Sequence, residues 1–129
     1  MQLFSFNHIA ISVKDVAKSV DFYQSVFNLN EIKNTASVTE TRWLMLTKNV
    51  QIHLIPRPQF EITINKAVHF ALATKDINTF INHLNGLKIA YSDWENTPNK
   101  DYVRDDGIRQ IYFKDPDGYW IEVNNDVAK

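Results

Sequence analysis

Three histidines and one glutamate fall at matching places in the two halves of this 129-residue chain, and imidazole with carboxylate is a donor set that holds a divalent metal. From His8 the sequence runs His-Ile-Ala-Ile-Ser-Val-Lys-Asp-Val, and 61 positions later, from His69, it runs His-Phe-Ala-Leu-Ala-Thr-Lys-Asp-Ile. Later in each half, Ile52-His53-Leu54 aligns with Ile121-Glu122-Val123 at an offset of 69, the difference being absorbed by longer loops. Two histidines and one carboxylate leave coordination positions open for substrate or water, and the set suits Zn, Ni, Fe or Mn. A lone strand histidine is more often an ordinary hydrogen-bonded residue, and His83, mid-helix with no counterpart in the first half, is read that way. The joint placement of His8, His53, His69 and Glu122 favours a metal. A carboxylate within Tyr-Trp-Ile-Glu-Val is costly to bury unless a cation meets it. His53 depends most on the alignment, which crosses a gap.

The elements that position these residues follow from hydrophobic period. Ile9, Ile11 and Val13 alternate with His8, Ala10 and Ser12, as in a half-buried strand. Asp15 is placed to cap a helix whose apolar stripe is Val16, Val20, Tyr23 and Phe27, ending near Asn28. Trp43–Leu46 and Val50–Ile55 read as strands joined by a turn at Lys48-Asn49, with Pro56 and Pro58 closing the half. The second half repeats the order. Val68–Ala73 is a strand, Asp76 caps a helix carrying Ile77, Phe80, Ile81 and Leu84, and Gly86 ends it. Leu87–Tyr91 reads as a short strand, Trp94–Gly107 as polar loop, and Ile108–Phe113 and Tyr119–Val123 as strands joined by the turn Asp115-Pro116-Asp117-Gly118. Each half is strand, helix and three strands, an α+β arrangement. Ile52, Leu54, Ile121 and Val123 face the helices, which turns His53 and Glu122 to the opposite face.

Composition excludes several classes. Fourteen basic and fifteen acidic residues are spread along the chain, so no basic face recommends nucleic acid or a membrane surface. Without cysteine there is neither a disulfide framework nor thiolate chemistry. No apolar run reaches the roughly 18 residues of a membrane span, and Met-Gln-Leu-Phe-Ser-Phe-Asn lacks a basic, then apolar, leader pattern; the expected location is cytoplasmic.

Two segments carry a family resemblance. Asn7–Val13 followed by Ser19-Val20-Asp21-Phe22-Tyr23, and the more specific Phe113-Lys114-Asp115-Pro116-Asp117-Gly118-Tyr119-Trp120-Ile121-Glu122, resemble the opening and closing elements of the vicinal oxygen chelate superfamily, which includes glyoxalase I, bleomycin-resistance proteins, fosfomycin-resistance enzymes and extradiol dioxygenases. The resemblance implies one domain over 1–129 built of two tandem βαβββ modules, about 1–56 and about 67–125 with a linker over 57–66, whose curved mixed sheets enclose a metal-containing cavity. It implies metal ligands at the positions of His8, His53, His69 and Glu122, and a homodimer in which a site takes His8 and His53 from one subunit and His69 and Glu122 from the other. The chain also departs from family patterns. Glyoxalase I commonly has a carboxylate where His53 stands, and bacterial forms an arginine where Ser12 stands. Fosfomycin-modifying members typically have a threonine where Ala10 stands and a basic residue well beyond the last glutamate, whereas this chain ends at Lys129. The expected function is a metal-dependent enzyme acting on a small molecule, glyoxalase-like, with Glu122 also able to move a proton. The alternatives are an Fe(II)-dependent extradiol-type dioxygenase and a protein that binds a planar ligand against Trp43, Trp94 and Trp120 without catalysis. Arg104 and Arg109 are weaker candidates for meeting an anionic substrate.

Overall fold

Helix α1 (Val16–Phe27) begins where the Asp15 carboxylate accepts the Lys18 backbone N–H at 3.1 Å and ends where Asn28 turns left-handed at φ 55°. In this computed structural model residues 3–127 are described; Met1, Gln2, Ala128 and the Lys129 named above lie outside them. The chain divides into two α+β units, Met1–Ile62 and Thr63–Lys129.

In the first unit β1 (His8–Val13) pairs in parallel with β4 (Val50–Pro56). Strand β4 pairs antiparallel with β3 (Arg42–Thr47), and β3 with β2 (Glu31–Ile32), giving the open order β1-β4-β3-β2. Asn49, at φ 65°, makes the β3–β4 turn. Val13, Leu44, Ile52 and Leu54 of the sheet and Val20, Tyr23 and Val26 of α1 form the core, with α1 against β3 and β4. Each such aliphatic side chain contributes about 1.5–3 kcal/mol by leaving water.

The second unit comprises β5 (Phe70–Ala73), α2 (Ile77–Gly86), β6 (Tyr91–Ser92), β7 (Tyr102–Val103), β8 (Arg109–Lys114) and β9 (Trp120–Asn124). Its sheet order is β5-β9-β8-β6, with β5 and β9 parallel and β7 also pairing with β8. Ile111, Phe113, Ile121 and Val123 are buried with Ile77 and Leu84 of α2, and the Phe80 ring lies 5.9 Å from that of Phe113. Gly118, at φ 92°, closes the β8–β9 turn by donating its N–H to the Asp115 carbonyl at 3.0 Å.

Five local expectations change. The strand after each helix, β2 and β6, is only two residues long, and the loop expected over Trp94–Gly107 contains β7. Leu87–Tyr91 is not a strand through its length, because Lys88 N–H and Ile89 N–H bond back to the carbonyls of Asn85 and Leu84 and spend those groups on the helix end. Gly86 is the last helical residue rather than the left-handed cap; Lys88 takes that conformation at φ 59°. The fifth strand starts at Phe70, since Val68 N–H is drawn into a turn onto the Asn65 carbonyl, leaving His69 one residue before it. A Cβ at Gly86 would meet nothing within 4 Å. Gly86→Ala is therefore expected to stabilise the protein by about 0.5–1 kcal/mol, read from the midpoint of urea unfolding at unchanged slope.

Candidate metal centre

Strand register sets the two halves in one frame. Ala10 is paired with His53 across β1 and β4, and Ala71 with Glu122 across β5 and β9, with each first histidine two positions before its alanine. On the other side of the fourth strand, Trp43 is paired with His53 and Tyr112 with Glu122. Each candidate on a fourth strand thus has a small neighbour on one side and an aromatic neighbour on the other.

In the second unit the His69 Nδ1–H donates to the Lys66 carbonyl at 2.8 Å, and Nε2 faces Glu122 Oε1 at 3.4 Å. An imidazole nitrogen whose partner N–H is fixed on a carbonyl is oriented as metal-bound histidines are. A ring nitrogen and a carboxylate oxygen face one another stably when a positive charge, a proton or a metal ion, is shared between them. Glu122 is buried, 8% exposed, and well supplied with donors: Tyr112 O–H gives to Oε1 at 2.9 Å and Asn124 Nδ2 to Oε2 at 2.6 Å. Gln110 Nε2 donates to the Tyr112 oxygen at 2.7 Å, completing a chain of polar groups along the face opposite α2's core. Burial, and then the Glu122 carboxylate, raise the Tyr112 pKa well above the ordinary phenol value, so the hydroxyl stays a donor.

In the first unit the rings of Trp43, His53 and His8 stack in sequence. Trp43 and His53 have centroids 4.1 Å apart at 4°, and His53 and His8 4.0 Å apart at 15°. His8 Nδ1–H donates to Asn7 Oδ1 at 2.6 Å, leaving Nε2, while His53 Nε2–H donates to Gln51 Oε1 at 2.7 Å, leaving Nδ1. Burial, then the neighbouring His8, hold the His53 pKa below the usual histidine value and favour the neutral ring, the form that ligates metal.

The four candidates therefore come as two pairs, His8 with His53 and His69 with Glu122; among the described residues no group of three or more His, Asp or Glu gathers around one point. The chemistry of both pairs, three imidazole nitrogens and one supported carboxylate, fits a divalent ion. Beside Tyr112 lies a cleft of about 730 Å³ walled by Trp94, Tyr102, Val103 and Gln110, with Asp93, Glu95, Lys100 and Asp101 at its polar parts. Arg109 is committed to Asp101 at 2.6 Å and to Asn78, and Arg104 to Asp106 and Asp126, so both hold structure. His83 sits in the last turn of α2, its ring 6.5 Å from that of Phe80. Sequence reasoning missed Trp43 and Tyr112 as neighbours of the candidate ligands, although the offset of 69 that pairs His53 with Glu122 also pairs these two.

The pattern of the Glyoxalase/Bleomycin resistance protein/Dioxygenase superfamily matches residues 5–123. Among curated proteins, the chain is similar to the metallothiol transferase FosB of Lysinibacillus sphaericus, 28% identical over 124 residues that cover 95% of this chain and 82% of that one. It is similar to Glyoxylase I 4 of Arabidopsis thaliana, 28% identical over 134 residues covering 97% and 72%. Among solved structures, a glyoxalase/dioxygenase from Nostoc punctiforme superposes with a TM-score of 0.78 at 24% identity, over 98% of this chain and 93% of that one. A match that runs through both units, from before β1 into β9, joins the duplicated register to its source: the chain belongs to the glyoxalase/bleomycin resistance protein/dioxygenase superfamily.

Proposed function

We propose that the protein is a divalent-metal-dependent enzyme acting on a small molecule, of glyoxalase-like lyase or isomerase type, in which His8, His69 and Glu122 hold the ion and His53 is the fourth ligand. The observation that carries this reading is the His69–Glu122 pair, with a nitrogen fixed from behind by the Lys66 carbonyl and facing a buried carboxylate oxygen at 3.4 Å. When bound, the ion supplies Lewis acidity, drawing charge from a substrate oxygen. Glu122 would also be the group that accepts a substrate proton, on an oxygen released from the ion for that purpose. Its two oxygens are supported by Tyr112 and Asn124, so the carboxylate is held at a defined place and keeps one side toward His69. The Tyr112 hydroxyl remains protonated and steadies negative charge on Glu122, while Trp94, Tyr102 and Val103 offer an open apolar wall to a planar or apolar substrate part. The names of the two curated relatives, a metallothiol transferase and a glyoxylase, support a small-molecule substrate. We place the protein in a homodimer, in line with the family resemblance.

Metal analysis of untagged protein is expected to find close to one divalent ion per pair of units. Chelation is expected to abolish turnover while far-UV circular dichroism stays unchanged, because the core of each unit packs without the site residues. Undiminished activity in the metal-free protein would replace this reading with non-catalytic binding. Isomerisation of thiol hemithioacetals supports the glyoxalase-like reaction, whereas iron in the preparation with oxygen uptake on catechols would replace it with the dioxygenase reaction.

A further inference from the structure

Lys66 touches both the candidate ligand and the wall of the cleft. Its carbonyl receives the His69 Nδ1–H. Its ammonium donates to the carbonyls of Asp93 at 3.1 Å and Trp94 at 2.7 Å and to Asn96 Oδ1 at 2.7 Å. An ammonium has three protons, and these three acceptors use them all, so none remains for a substrate. The charge is also enclosed by rings, with Nζ 4.3 Å from the centroid of Trp120, 5.0 Å from Tyr112 and 5.2 Å from Trp94. All three acceptors are neutral, so what holds the ammonium is three hydrogen bonds and the faces of three rings rather than an ion pair.

The backbone on each side of this clamp is itself closed. Ala67 N–H donates to Asn65 Oδ1 and Val68 N–H to the Asn65 carbonyl, both at 2.9 Å, forming the turn that presents the Lys66 carbonyl to His69. Thr97 N–H donates to Asp93 Oδ1 at 2.8 Å and Asn96 N–H to the Asp93 carbonyl at 3.2 Å, forming the loop that carries Trp94 into the cleft wall. We propose that Lys66 is a positioning residue that joins His69 to the 93–97 loop, fixing through its carbonyl which ring nitrogen His69 presents and through its ammonium where the Trp94 wall stands. The inference rests on the reading of His69 as a ligand for its consequence, metal affinity, but its first readout does not need the metal.

The full-length chain with ¹⁵N-labelled histidine, freed of metal by a chelator, supplies that readout. Wild type is expected to show the His69 ring in one tautomer, with the proton on Nδ1. Lys66→Met keeps the length of the side chain and the backbone carbonyl but loses the three ammonium donors; with the 65–68 turn no longer anchored to the 93–97 loop, the carbonyl is expected to drift from Nδ1, giving mixed tautomers at His69 and amide exchange over residues 93–97 faster by more than about tenfold, with zinc affinity lowered about 10- to 100-fold. Lys114→Met removes the other ammonium over Trp120, 4.7 Å from its centroid, and is expected to change none of these. If Lys66→Met does not fold, Asn96→Gly decides, since it removes one acceptor and accepts the φ of 67° at that position; it is expected to shift the tautomer and the exchange in the same direction. A folded variant with the His69 tautomer and loop exchange of wild type overturns the proposal. A shifted tautomer in a protein whose wild type takes up no zinc would overturn the proposed function and leave this positioning role standing.

Discussion

Glu122→Ala is expected to leave the protein without bound metal and without turnover. The carboxylate is the only anionic member of the proposed ligand set, and its loss exceeds the 10- to 100-fold effect on affinity that follows from changing groups just outside a ligand set. The substitution also orphans one buried donor, Tyr112 O–H, at about 1–3 kcal/mol, and takes the partner from the half-buried Asn124 Nδ2, so a fall in stability is expected with it. Glu122→Gln separates the two effects. Its amide oxygen still accepts a hydrogen bond and its volume fills the site, so it is expected to fold nearly as wild type and still lose the metal. His83→Ala is expected to keep full metal content. Stoichiometric metal in either Glu122 variant, measured by elemental analysis after gel filtration, would show the assignment to be wrong.

Two inactive chains are expected to restore each other. With His8→Ala in one and Glu122→Ala in the other, a mixed dimer that shares ligands across subunits places both defects in one site and leaves the second with all its ligands. Random reassembly then recovers about one quarter of the wild-type sites, since half the dimers are mixed and each has one good site. The division of the candidates into His8 with His53 and His69 with Glu122 is what makes the cross possible. Demonstrated mixed dimers without any return of activity would assign each site to a single chain.

The sequence was most legible where a residue's local chemistry decides its conformation. Asp15 and Asp76 cap helices because a carboxylate one residue before a helix takes a free backbone N–H, and both do so here. The turn at Lys48-Asn49 and the closing hairpin were visible for the same reason. Strands β2, β6 and β7 were poorly visible, because two residues are too few to show a period and their pairing comes from the neighbouring strand. At the end of α2 a glycine misled: Gly86 sits inside the helix while Lys88 bears the left-handed turn, a local cost accepted because the carbonyls of Leu84 and Asn85 gain partners. The matching places of His8, His53, His69 and Glu122 were legible through repetition, their meeting two by two was not, and neither was the contact of Lys66 with a loop some 30 residues away, since nothing in the spacing announces it.

The equivalence of position 53 with position 122 has a consequence in charge. Because the pairings of Ala10 with His53 and of Ala71 with Glu122 coincide, position 53 has the same strand register as a position that holds a carboxylate. If the proposed set of three imidazoles and one carboxylate holds a divalent ion, Glu122 is its one formal anion and the ion keeps a residual charge of +1. A centre of that kind attracts a substrate arriving with an ionised oxygen, whereas His53→Glu would cancel the residual charge and favour a neutral one. On the proposed ligand set, the duplicated framework would leave substrate polarity to the single side chain at position 53.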